Sequence, residues 1–207
     1  MKRSLLELRL AIVGFCLLLT AGCSSPPTRF YVLSALPDSA PAATAVAGRD
    51  VAVGVGPLQL PDYLDRPQIV TRSGQNALDL AEFDNWAEPL EDNATQVLAE
   101  NLAVLLPSRR IATYPWKRST PIDIQVVAKV TRFEHAEEGE TVLSTRWRLL
   151  SADGAKELLS RESRYRERPA GDSYGATVAA MSRALAQFSR DVAGAIRSQA
   201  SGSLPSP

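Results

Sequence analysis

The chain has 207 residues, 45% of them apolar, with 23 basic and 23 acidic side chains and a formal charge of zero. That balance, without any long basic stretch, argues against a nucleic-acid partner. One histidine and two cysteines leave no convincing zinc ligand set, and the length suits a single domain with a core of its own.

The chain opens with Lys2, Arg3 and Arg9, continues as an apolar run over residues 10–19, and reaches Cys23 through small residues. This is the pattern of a secretory signal peptide, too short and wrongly flanked for a stable membrane span. Its ending, Leu19-Thr20-Ala21-Gly22-Cys23, resembles the lipobox of bacterial lipoproteins, although Thr20 stands where leucine is commonest. The resemblance implies a cut just before Cys23, which then carries covalent N-acyl and S-diacylglycerol chains. The competing reading is an ordinary secreted signal that happens to end near a cysteine. With residues 1–22 removed, 185 residues remain, and the loss of Lys2, Arg3, Arg9 and Glu7 leaves 20 basic and 22 acidic side chains, a formal −2. Cys16 leaves with the signal and Cys23 is capped. No thiol is then left for a disulfide, a nucleophile or a metal, and packing must hold the domain.

Residues 23–29 form the lipidated cysteine and a polar, proline-containing tether, short enough to keep the domain near the membrane. Residues 30–33 read as a strand and 35–49 as a loop. The β-branched run over 51–57 predicts a second strand. Its Gly54 and Gly56 mark close packing or a bulge, since no phosphate-binding glycine pattern is present. Residues 61–67 form an irregular connection. Residues 68–72 and 77–81 flank Ser73-Gly74-Gln75-Asn76 as a hairpin.

A helix is expected to start within 84–88, capped by Asp84 or Asn85, and to run to about Leu106. Leu90, Ala94, Val97, Leu98, Leu102 and Leu105 lie along its apolar face. Residues 110–114 read as a short strand. Alternation over 122–131 and 143–149, followed by 156–166, predicts an antiparallel meander with one wet face. In the last helix, capped by Asp172 or Ser173, Tyr174, Val178, Met181, Leu185, Phe188, Val192 and Ala195 or Ile196 make a narrow stripe. That stripe fits a helix lying on the sheet or, alternatively, a coiled-coil seam. Residues 198–207 read as a disordered tail, which bounds one domain at 30–197. The expected fold is α+β: a two-layer sandwich of a mainly antiparallel sheet with two amphipathic helices on one face.

Catalytic chemistry finds little support. His135 sits in the acidic stretch 134–140 and reads as a solvated surface residue. No nucleophile elbow accompanies it. Asp79, Glu82, Asp84, Glu88, Glu91 and Asp92 cluster in sequence, but acidic residues at a helix start already complement the helix dipole. Arg164, Arg166 and Arg168 share a strand face by alternation and suit a phosphate-bearing lipid headgroup. Glu157, Glu162 and Glu167 are interleaved with them, so a salt-bridged outer strand is the plainer reading.

Four segments carry a family resemblance: Phe30-Tyr-Val-Leu-Ser34, the run from Val53 through Gly56-Pro57-Leu58-Gln59-Leu60-Pro61-Asp62-Tyr63 to Val70, Glu82-Phe-Asp-Asn-Trp-Ala-Glu-Pro-Leu-Glu-Asp-Asn93, and Val97-Leu-Ala-Glu-Asn-Leu102. Together they resemble the PqiC-type lipoproteins, also called ABC-type transport auxiliary lipoproteins, from Cys23 to about Arg197. The resemblance implies a non-catalytic, periplasm-facing lipoprotein of a Gram-negative bacterium. Its partner is an MCE-domain protein of an intermembrane lipid transport system that supports envelope integrity. Ser24, rather than aspartate, favours the outer membrane. By analogy the chain forms a homo-oligomer, with no cofactor beyond the lipid on Cys23. Such a protein needs a surface for its partner. Tyr63, Leu64, Arg66 and Trp86 are residue types that anchor interfaces, though Tyr63 and Trp86 also suit packing of the loop onto the sheet. The alternative functions are a periplasmic module that itself carries acyl chains, which requires an apolar cavity, and an envelope hydrolase or assembly factor.

Overall fold

Alternation of apolar and polar residues builds the centre of the sheet, and a computed structural model describes it together with the rest of residues 26–37, 50–136 and 138–202. The signal, Cys23, most of the 35–49 loop and the last five residues lie outside the described residues. Strands β6 (Ile124–His135), β7 (Thr141–Ser151) and β8 (Glu157–Glu167) form the expected antiparallel meander. The free edge of β6 takes two strands end to end. β2 (Val53–Gln59) runs parallel along its first half, and β3 (Gln68–Arg72) meets its far end where Thr71 faces His135. β5 (Ile111–Thr113) lies parallel outside β2. β3 pairs antiparallel with β4 (Leu78–Trp86), and β1 (Arg29–Tyr31) forms the edge, parallel to β4. The eight-stranded sheet is thus mixed, with its longest pairings antiparallel.

Helix α1 (Leu90–Leu105) packs on β2 and β5, and α2 (Tyr174–Gly202) packs on β6–β8 and against α1. Trp147 and Phe133 of the sheet and Leu98, Leu102, Leu185 and Phe188 of the helices belong to one buried cluster, with Phe188 edge-on to Trp147 at 5.8 Å. The α2 stripe is therefore spent on the sheet rather than on a coiled-coil partner. Ser173 caps this helix, its Oγ accepting from the Ala176 N–H at 3.2 Å. Gly56 has a φ of +113° at the bulge between Val55 and Leu58, and a side chain at Gly54 would reach to 2.9 Å from the Trp116 ring. Both glycines do the packing and bulge work expected of them.

At β4 and the two helices, three boundaries differ from the sequence reading. β4 continues to Trp86 instead of stopping at Ala81, so Asp84 and Asn85 are strand residues and not helix caps. The helix starts only at Leu90, after Pro89, without a side-chain cap. The reason is β1. Arg29 holds the Asp84 carboxylate at 2.8 Å and 2.9 Å, and the Tyr31 hydroxyl donates to it at 2.7 Å. At the other end, α2 runs on to Gly202, so residues 198–202 are helical rather than part of a tail.

Burial alone would push the Asp84 carboxyl up, but the hydrogen bonds from Arg29 and Tyr31 and the Arg29 charge outweigh it and hold the group below its ordinary value. A depressed carboxyl adds stability above its unfolded pKa and loses it as pH falls through the folded one. Wild type should therefore exceed Asp84→Asn in stability at neutral pH, and the gap should shrink below about pH 4. Urea midpoints of the two proteins at pH 7 and at pH 3 measure it; an equal gap at both would refute the linkage.

The segment following β1 is clasped by side chains that interrupt the apolar stripe of α1. The Leu33 N–H donates to Asn93 Oδ1 and the Leu36 N–H to Asn101 Oδ1, each at 2.7 Å, while Ser182 Oγ accepts from the Ser34 N–H at 3.0 Å. Asn101 is fully buried and donates onward to Ser189 Oγ at 3.0 Å. Backbone groups of a non-repetitive segment are thereby satisfied inside the fold. The chain that leads in from the tether is tied to both helices.

Candidate docking surface

Because β2 and β3 share one edge of β6, residues 60–67 must leave that edge and return to it. They do so through a 3-10 turn, Asp62–Leu64, closed by the Leu64 N–H on Pro61 O at 2.9 Å and the Asp65 N–H on Asp62 O at 3.1 Å. Pro61 and Pro67 bracket the turn and restrict its backbone. Leu64 is only 2% exposed and plugs into the core. Asp62, Asp65 and Arg66 remain exposed, and the Arg66 guanidinium makes no ion pair among the described residues.

The turn is bolted down by a buried carboxylate. Glu134, 0% exposed, accepts from Tyr63 Oη at 2.8 Å, Arg72 Nε at 3.1 Å, Arg132 Nε at 2.9 Å and the Phe133 N–H at 2.9 Å. The Arg72 guanidinium also lies 5.9 Å from the centre of the Tyr63 ring. Burial and the neighbouring carboxylate push the Tyr63 hydroxyl up to about 12, so it stays a donor at neutral pH. The unit can fix a surface turn in one shape, which is what recognition by a partner requires.

The four predicted partner-binding residues divide. Leu64 and Trp86 are buried, Trp86 through its place at the end of β4, where its N–H donates to Pro67 O at 2.6 Å. Both pack the turn against the sheet and offer no surface. Tyr63 is half-buried on Glu134, and Arg66 alone is fully displayed. Arg164, Arg166 and Arg168 stand exposed at the end of β8, as alternation implies. Arg166 and Arg168 both reach Glu140, at 3.4 Å and 3.5 Å, while Arg146 and Arg148 pair with Glu162 and Glu157 across the strands. The outer strand is salt-bridged, and Arg164 is the member left without an ion pair among the described residues.

Three members of the acidic cluster take structural roles. Asp84 pins β1, Glu88 accepts from Asn93 Nδ2 at 2.6 Å, and Glu91 accepts from the Leu60 N–H at 3.0 Å. His135 ends β6, half-buried, instead of sitting in a solvated turn. Glu134 was hidden in the sequence for a definable reason. Strict alternation from Ile124 puts Arg132 and Glu134 on the helix-facing side. The bulge between Val130 and Arg132 instead puts Phe133 there and sends Arg132 and Glu134 to the outer face. The readable signal was Phe133, an aromatic residue off the register of the strand before it.

Comparison with known proteins matches residues 31–193 to the family model of the ABC-type transport auxiliary lipoprotein component. The chain is 27% identical over 188 residues to the intermembrane transport lipoprotein PqiC of Escherichia coli K12, covering 90% of this chain and 96% of that protein. The same figures hold for PqiC of Shigella flexneri. A crystal structure of a Xanthomonas campestris protein superimposes with a TM-score of 0.67 at 19% identity, over 85% of this chain and 100% of that one. A second, of an uncharacterized protein, gives 0.65 at 21% identity, over 83% and 99%. These two speak for the fold alone.

Proposed function

Because this chain belongs to the ABC-type transport auxiliary lipoprotein family, we propose that it is a non-catalytic lipoprotein subunit of an intermembrane lipid transport system. Cys23 is its lipid anchor in the outer membrane, facing the periplasm, and its partner is an MCE-domain protein of the same system. The observation that carries this reading is the family match over 31–193, which spans β2 to β8, all of α1 and about two thirds of α2. The geometry supports a docking role. A rigid turn is held from below by Glu134 and displays an arginine without an ion pair among the described residues, while Asp84, Glu88 and Glu91 have structural partners. Arginine is favoured at interface centres for its planar, multidentate head.

The test is co-purification of the tagged full-length protein from crosslinked cells. Arg66→Glu should lose the MCE-domain partner while keeping the wild-type melting temperature, because the side chain touches nothing that holds the fold. A folded Arg66→Glu that recovers the partner as wild type does would remove the turn from the interface.

One observation favours the second reading, that the domain itself carries acyl chains. A recess of about 360 Å³ opens between Val51, Leu106, Pro107, Ile196 and Ala200. That is at the small end of ligand-sized pockets. Phospholipid retained by the purified domain, and lost on Ile196→Arg, would put this reading first.

A further inference from the structure

Of the five large apolar side chains exposed to water among the described residues, all but Tyr114 gather at one edge of the molecule. Among the described residues, Phe30 is 65% exposed, Val32 49%, Leu78 36% and Leu80 48%, and all four belong to or follow the neighbouring strands β1 and β4. Directly opposed residues share a sheet face. Phe30 opposes Asn85, which opposes Gln68; Leu80 opposes Val70; Leu78 opposes Arg72. Since Gln68, Val70 and Arg72 alternate along β3, Phe30, Leu80 and Leu78 fall on one face. It is the face that carries Arg72 and Glu134, away from the helices.

The tether arrives at this patch. β1 runs parallel to β4 and enters it with Arg29 opposite Asp84, so the preceding residues come in from the end of the sheet where Leu80 and Leu78 lie. Pro26 is three residues after Cys23 and Phe30 seven, distances of at most about 11 Å and about 25 Å even when fully extended. An acylated Cys23 therefore holds this edge within reach of the bilayer, where weak contacts act at high effective concentration. Arg164, at the same end of the sheet, is free to meet a phosphate.

We propose that the outer face of β1 and β4 rests on the membrane that holds the anchor, with Phe30, Leu78 and Leu80 at the boundary between headgroups and acyl chains. The inference rests on the lipoprotein reading. It gives the domain a fixed attitude. The hairpin of β3 and β4 lies close to the lipid, and the Pro61–Pro67 turn sits on the same face, with Tyr63 beside Arg72.

The test uses the full-length acylated protein in vesicles of phosphatidylethanolamine and phosphatidylglycerol. Leu80→Cys carries an environment-sensitive fluorophore, and Glu100→Cys, exposed on α1, serves as the control. The label at position 80 should shift to the blue and be quenched by doxyl groups on the acyl chains, while the control stays aqueous and unquenched. If the protein floats with the vesicles but both labels report water, the membrane-facing surface is wrong and the anchor stands. A blue shift without quenching by lipid means that another protein surface covers the patch, which also overturns the proposal. If the protein does not float, the lipoprotein reading fails and takes the inference with it.

Discussion

Cys23→Ala should incorporate no palmitate and keep residues 1–22, because the expected cut follows acylation of the cysteine. The effect is all-or-none and needs no change in the fold, since the first strand begins six residues later. The consequence for location is correspondingly large. No helix among the described residues is long and apolar enough to cross a membrane. One myristoyl-length chain binds a bilayer with a constant on the order of 10⁴ M⁻¹, and several chains together make the attachment stable. With a leader that is cut without acylation, the chain from Ser24 onward should appear in the soluble periplasmic fraction. Mass spectrometry of the mature N-terminus and fractionation of the envelope check the two halves. Labelled palmitate on Cys23→Ala, or a wild-type N-terminus without acyl groups, would overturn the anchor.

Removing Glu134 should be strongly destabilising. Its carboxylate is fully buried and balances Arg72 and Arg132, while the Tyr63 hydroxyl has its partner there. Removing one member of a buried ionic cluster leaves uncompensated charge, at a cost of about 3–5 kcal/mol. For a domain of this size that lowers the melting temperature by about 6–20 °C. Glu134→Ala should move the urea midpoint with little change in the slope, which reports surface exposed on unfolding. The exposed pair Arg146–Glu162, at 3.5 Å, provides the contrast, because ion pairs on the surface contribute about 1 kcal/mol or less. Loss of Glu134 should also weaken partner capture while Arg66 is intact, since Tyr63 no longer holds the turn. A Glu134→Ala protein within 1 kcal/mol of wild type would show that the cluster is not a stabilising unit.

Local chemistry in the chain was enough to determine much of this protein. A basic start, an apolar run and small residues before Cys23 carry the expectation of export, because a leader is read as a linear segment. Alternation over β6 and β7, the 3-4 spacing of α2 and the glycines of β2 specify an α+β fold, because each pattern reports which side of one element meets the core. The long family segments, Gly56-Pro57 through Pro67 above all, were legible for the same reason. Tertiary structure decided the partners. Asp84 looked like a helix cap until β1, more than fifty residues away, paired beside it. Trp86 looked like an interface anchor until the lengthened β4 carried it into the core. Asn93 and Asn101 gain meaning only when the segment after β1 crosses them, and Glu134 only when a one-residue bulge changes its face and brings Tyr63 and Arg72 over it. The division has a physical cause. Periodicity records burial, a property of a residue and its near neighbours, whereas the partner of a buried charge or amide depends on register and chain crossings set by distant segments.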